Sequence, residues 1–173
     1  LEPWAREVER SSNNQVDIVI VPRMGRGGKP KDLIPQATEG KITDLIWTVN
    51  TYSGKPFPSS EVFELPFIHR NDPIATNLAM REMFASDLKR EYDQKNLEVM
   101  FLHVHQGHAF ITSRYELRTP DQVRGKRVRV PGRIHQWISE ELGGVTVPTT
   151  VRQIPQLLQR RAVDTVLITA NII

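Results

Sequence analysis

The sequence predicts an α/β fold built on a largely parallel sheet. Short apolar runs with strand character alternate with amphipathic helical stretches along the 173 residues. The run KRVRV (126–130) stops at Pro131-Gly132 and turns straight into a helical stretch, as a strand feeding a crossover helix does. With 39% hydrophobic and 25% charged residues, the chain can also bury a real core.

The elements follow in order. PWAREVERSS (3–12) reads as a short amphipathic helix with Pro3 in its first turn. QVDIVIVP (15–22) puts Val16, Ile18 and Ile20 on one face and Val19 and Val21 on the other, a buried strand. KDLIPQATEG (31–40) is a short helical stretch closed by Gly40, and DLIWTV (44–49) is a second strand. TYSGKPFPSSEVFELPF (51–67) is too rich in Pro, Gly and Ser for regular structure. It carries Tyr52, Phe57, Phe63 and Phe67, and a loop that spends aromatics is packed down or lines something.

The longest helix is expected over 73–94, where Leu78, Ala79, Met83, Leu88 and Tyr92 form an apolar stripe. LEVMFLHVH (97–105) is a third strand and AFITS (109–113) a fourth. Thr119 is placed to cap a short helical segment after it. KRVRV, the helix IHQWISEELGG (134–144), the strand VTV (145–147), the helix IPQLLQRR (154–161) and the buried strand VDTVLIT (163–169) complete the series. No covering helix follows the last strand, so the chain is expected to be an incomplete portion of a fold.

Several chemistries find no support. There is no cysteine, which removes disulfides, thiolate zinc sites and thiol nucleophiles. The net charge of +3 is dispersed apart from Arg124, Lys126, Arg127, Arg129 and Arg133, so no nucleic-acid partner is expected. No apolar run approaches the roughly 18 residues of a membrane-spanning helix, and the chain is not expected to be membrane-embedded. Gly25, Gly27, Gly28 and Lys29 follow a strand, but Arg23 and Pro30 occupy positions a phosphate loop needs as Gly and Ser/Thr. There is no nucleophile elbow, and Glu140-Glu141 read as a solvated helix face. His103, His105 and His108 form H-x-H-x-x-H, which leaves a metal-dependent enzyme as the alternative to a binding protein. No enzyme and no cofactor is the expectation.

Arg129 stands apart by position. It alternates with Val128 and Val130 and lies one residue from the carboxyl end of its strand, where open α/β sheets place ligands. A guanidinium there offers a carboxylate two parallel hydrogen bonds. An exposed strand arginine is an equal reading of the same residues.

VFELPF (62–67), LRTPDQVRGKRVRVPG (117–132), LGG-VTVP (142–148) and the AVD of 162–164 closely resemble the substrate-binding proteins of TRAP transporters, the DctP-type periplasmic solute receptors. The order and spacing hold over almost the whole chain. The resemblance implies a two-lobed periplasmic-binding-protein architecture, type II-like, closing on an organic acid. It implies a first lobe over 1–124 that lacks its first strand, and the start of a second lobe over 125–173. It further implies that Arg129 of R-V-P-G pairs with the ligand carboxylate, with Pro131 beside it. Trp47, Tyr52 and Phe67 would be pocket walls, and His105 and His108 hydrogen-bond partners, in place of the second arginine many members carry. Ile168 stands where the family has a polar cleft residue. The ligand would be a small carboxylate, aromatic or partly apolar, and the membrane subunits of the transporter would be the partners.

Overall fold

The computed structural model describes residues 1–53, 57–68, 70 and 72–169. Its sheet has four strands in the order β1-β4-β2-β3: β1 (His108–Ile111), β2 (Arg127–Val130), β3 (Val145–Pro148) and β4 (Thr165–Thr169). β2 runs parallel to both β3 and β4, while β1 pairs antiparallel with β4, His108 opposite Thr169. The expected α/β class is present, with its parallel part confined to 127–169.

β4 is buried along its whole length, as a strand covered on both faces must be. On one face Val123, Val128, Val130 and Leu167 form a core to which Leu142 adds, from the residue after α6 (Arg133–Glu141). On the other, Val163, Val166 and Ile168 meet Ile154, Leu157 and Leu158 of α7 (Ile154–Gln159). Each such side chain, when fully buried, contributes about 1.5–3 kcal/mol of hydrophobic stabilisation. The two central strands, β2 and β4, are also clamped together where they begin. Asp164 accepts hydrogen bonds from the Arg127 backbone at 2.8 Å and from its Nε and Nη2 at 3.0 and 2.8 Å. These bonds hold the Asp164 carboxyl down at about 2.

The N-terminal portion departs from expectation. Residues 17–22, 45–49 and 101–105 have no regular secondary structure and form no strand ladder among the described residues. The expected buried strand of 15–22 leaves Val16, Val19, Ile20 and Val21 all exposed, whereas the alternation of the other two segments holds. Ile46, Leu102 and Val104 turn inward onto clusters around Phe57, Tyr92, Phe63, Met80 and Leu88, while Trp47, Phe101 and Val19 stay exposed. Apolar periodicity decides which side faces the core, but a ladder also needs a neighbour's backbone in register.

The helices follow their local signals. α1 (Glu2–Ser11) begins with Pro3, and α2 (Leu33–Glu39) ends at Gly40 with φ of 62°. The loop expected over 51–67 instead contains a short helix, α3 (Pro58–Glu61), because the Glu91 carboxylate accepts the Ser59 and Ser60 N–H groups at 2.9 and 3.0 Å. The long helix of 73–94 is a run of α4 (Pro73–Met83), a π turn (Phe84–Leu88) and α5 (Lys89–Asp93). Asp72 caps its start by accepting from the Ala75 N–H at 2.9 Å.

Candidate functional site

The carboxyl ends of β2, β3 and β4 converge where β2 hands over, through Pro131 and Gly132, to α6. Gly132 is needed there for close approach: a Cβ on it would lie 2.5 Å from the Thr51 Oγ1. The turn carrying Thr51 and Tyr52 is thereby held against the start of α6. That turn is fixed from below by a buried polar chain in which the Asn50 amide donates to the Tyr92 hydroxyl at 2.7 Å, 2.8 Å from the Ser60 hydroxyl.

Arg129 is 0% exposed. Its Nε and Nη2 donate to the Thr149 carbonyl at 3.0 and 2.5 Å, and its Nη1 donates to the Leu167 carbonyl at 3.1 Å. Burial pulls its pKa below the ordinary value, and interaction with the Tyr52 side chain works the other way. Three of its five N–H donors are thus committed to neutral carbonyls, and among the described residues no carboxylate forms an ion pair with it. Of the two fates left open by the sequence, the exposed arginine is excluded.

Tyr52 links this cation to a cleft of about 310 Å³ lined by Pro30, Leu33, Trp47, Thr48, Val49 and Tyr52. That size is at the lower end for a small-molecule site. Trp47, Phe101, His103 and His105 continue from it as a series of rings, edge-to-face at both ends and tilted between, with successive centroids at 6.2, 5.8 and 4.9 Å. Phe67 is not brought to the cleft. It is 91% exposed with φ of 69°, whereas Trp47 and Tyr52 both line this cleft. Pro131 sits half-buried between β2 and α6.

The histidines separate. His103 packs on His105, whereas His108 lies 4.0 Å, centroid to centroid, from His135 of α6. Among the described residues no group of three His, Asp or Glu side chains could hold a metal ion, so H-x-H-x-x-H does not assemble the metal site of the alternative reading. The H-x-H pair brings two rings together, but the third departs with β1.

Sequence reasoning missed a second polar cluster, on the α6 side. Glu61 pairs with Arg133, whose guanidinium lies 5.0 Å over the Trp137 ring. The Glu64 Oε2 and the His135 Nδ1 are 3.8 Å apart, and both are buried without a hydrogen-bond partner. Burial first, and Glu61 second, push the Glu64 carboxyl up to about 7. Burial, then His108 and Arg129, push His135 down to about 3, so its imidazole is neutral at physiological pH. The only sequence signals were Glu64 within ELPF and His135 three residues past the Pro-Gly stop. The Thr149 and Thr169 hydroxyls, at the ends of β3 and β4, are likewise buried and unpartnered.

With this geometry in place, comparison decides the family. The profile of the bacterial extracellular solute-binding proteins, family 7 (DctP), matches residues 1–173. The chain belongs to that family. A solute-binding protein of Chromohalobacter salexigens is 25% identical over 168 residues, 95% of this chain and 48% of that protein. Among solved structures, a TRAP solute-binding protein from a marine metagenome, specific for aromatic acid ligands and crystallised with 3-hydroxybenzoate, superposes with a TM-score of 0.87 at 28% identity. A TRAP solute-binding protein of Rhodoferax ferrireducens, with copurified benzoate, gives 0.86 at 30%. Each comparison covers 96% of this chain and 51% of the other. This DctP-family chain therefore spans about half the length of its relatives. Among the described residues, no helix is long and apolar enough to cross a membrane.

Proposed function

We propose that this chain forms the carboxylate-gripping part of a periplasmic TRAP receptor that captures a small organic acid between two lobes and delivers it to membrane subunits. One observation carries the proposal: Arg129 is a wholly buried cation whose described protein contacts are neutral. A buried charge without a counter-ion costs several kcal/mol, and a ligand carboxylate supplies the missing charge. A ligand carboxylate would take guanidinium N–H groups beyond the three committed to carbonyls, on the side where the Tyr52 side chain also meets the cation.

Trp47 and Tyr52 provide the flat apolar wall, which favours an aromatic monocarboxylate of the kind the metagenomic and Rhodoferax proteins hold. The lobes are 1–124 and 125–173 as the resemblance implies, with β1 crossing to join the sheet of the second. His108 approaches the ligand from that crossing strand, and His105 from the segment before it. Closure is a population shift, since the acid touches both sides only when they meet. No bond is made or broken.

The test is calorimetric titration of the whole protein with benzoate. Arg129→Lys keeps the charge but loses the fork, and should weaken binding by about 10-fold to 100-fold, some 1.4–2.7 kcal/mol. Arg129→Ala should abolish measurable binding, with circular dichroism confirming that the variant is folded. Unchanged affinity in a folded Arg129→Lys would refute the pairing.

A further inference from the structure

Two buried polar atoms without partners face each other across a gap. The Glu64 Oε2 and the His135 Nδ1 are 3.8 Å apart, too far for a direct hydrogen bond. Each carries the cost of a polar atom left unpaired in the interior. Neighbouring groups do not relieve them. The Glu61 carboxylate is committed to Arg133 and to the Phe57 N–H, which donates to it at 3.1 Å, while the His108 ring stacks at 4.0 Å from His135.

One chemical group satisfies both atoms at once. A hydroxyl beside the pair donates its proton to the Glu64 carboxylate and accepts the Nδ1–H of His135, because a hydroxyl is donor and acceptor together. A second carboxylate, which only accepts, leaves the Glu64 oxygen unpaired, and an ammonium satisfies both only when the His135 Nδ1 carries no proton. The pair lies at the start of α6 rather than in the wall of the Trp47–Tyr52 cleft. His135 is the third residue of α6, and Gly132, which precedes the helix, meets the Thr51–Tyr52 turn. Arg129 is close enough to act on the His135 charge.

We propose that Glu64 and His135 jointly bind a hydroxyl of the acid held by Arg129, so that the site prefers hydroxylated carboxylates over their unsubstituted parents. This rests on the carboxylate pairing of Arg129 and adds a second anchor to it. Mutual satisfaction of buried donors and acceptors is also a strong source of selectivity: an analogue lacking the hydroxyl leaves both residues unpaired again.

The experiment compares benzoate with its ortho, meta and para hydroxy derivatives, titrated into the whole protein. The quantity read is the ratio of the benzoate Kd to that of the tightest hydroxybenzoate. The wild type should give a ratio of about 10 or more. Glu64→Leu and His135→Phe should each bring it close to one, and Glu64→Gln with His135→Gln serve as milder replacements if those variants do not fold. Arg129→Lys should weaken all four acids and leave the ratio largely intact. If benzoate binds and the hydroxy acids bind no better, the gap holds water alone and the hydroxyl subsite is wrong while the Arg129 pairing stands. A preference that survives both substitutions also overturns it. If none of the four acids binds the wild type, the pairing fails and the subsite with it.

Discussion

At Glu64 and His135, burial acts in opposite directions on two neighbouring groups. Glu64 titrates near 7 in the fold against an ordinary value of 4.5, so its contribution to stability is fully present below 4.5 and is lost as pH rises through 7. His135 titrates near 3 against 6.5, so its contribution is present above 6.5 and is lost as pH falls through 3. Between pH 4.5 and 6.5 the two slopes oppose each other. Glu64→Gln removes only the falling limb. The variant's unfolding free energy should rise with pH up to about 6.5 and, above pH 8, exceed that of the wild type by about 1–3 kcal/mol. Urea denaturation at a series of pH values measures this, and parallel curves for the two proteins would show that Glu64 is not strained in the fold. Such an arrangement is tolerated where function uses it, which agrees with the hydroxyl-binding role proposed for the pair.

At the scale of elements, the entry to α6 matters most, because Arg129, Pro131, Arg133 and His135 all take their positions from it. Gly132 there is extended, a conformation open to any residue, so its role is steric rather than torsional. Gly132→Ala would bring a methyl within 2.6 Å of the Thr51 Cβ and 2.5 Å of its Oγ1. The expected cost is about 1–3 kcal/mol, from overpacking and from displacement of the Tyr52 turn. Adding Thr51→Gly removes the atoms struck and should recover much of the loss, a coupling that thermal denaturation of the two single variants and the double variant would reveal. The same turn rests on the Asn50, Tyr92 and Ser60 chain of hydrogen bonds, which makes α5 a support for a cleft wall it does not itself line.

For the whole molecule, the consequence of the proposed pairing of Arg129 with a ligand carboxylate is that ligand and fold stabilise each other. An acid bound at 100 times its Kd raises stability by about 2.7 kcal/mol. In the wild type, saturating hydroxybenzoate should therefore lift the melting temperature by several degrees, and by much less in Arg129→Lys at the same concentration. An equal shift in both proteins would place the ligand elsewhere. Family membership and the fold of the DctP relatives set this expectation, and the half-length match makes the whole protein the proper sample.

Much of this was legible along the chain. The stop at Pro131-Gly132, the cap at Gly40, the strands at 127–130 and 165–169 and the inward faces of 44–49 and 97–105 are short-range properties, set by side-chain periodicity and backbone preference within a few residues. The ELPF and RVPG segments carried the family in the same way. Pairing is different. Whether 17–22 or 45–49 joins a ladder depends on a backbone supplied from elsewhere, and their composition is silent about it. Arg129 could be placed at a strand end from sequence, but only packing showed it wholly buried, and only packing set Glu64 against His135 or parted His108 from His103. Those facts are long-range: burial and unmet hydrogen bonds belong to groups brought together by the fold, and no local pattern encodes what a side chain will lack once water has been excluded.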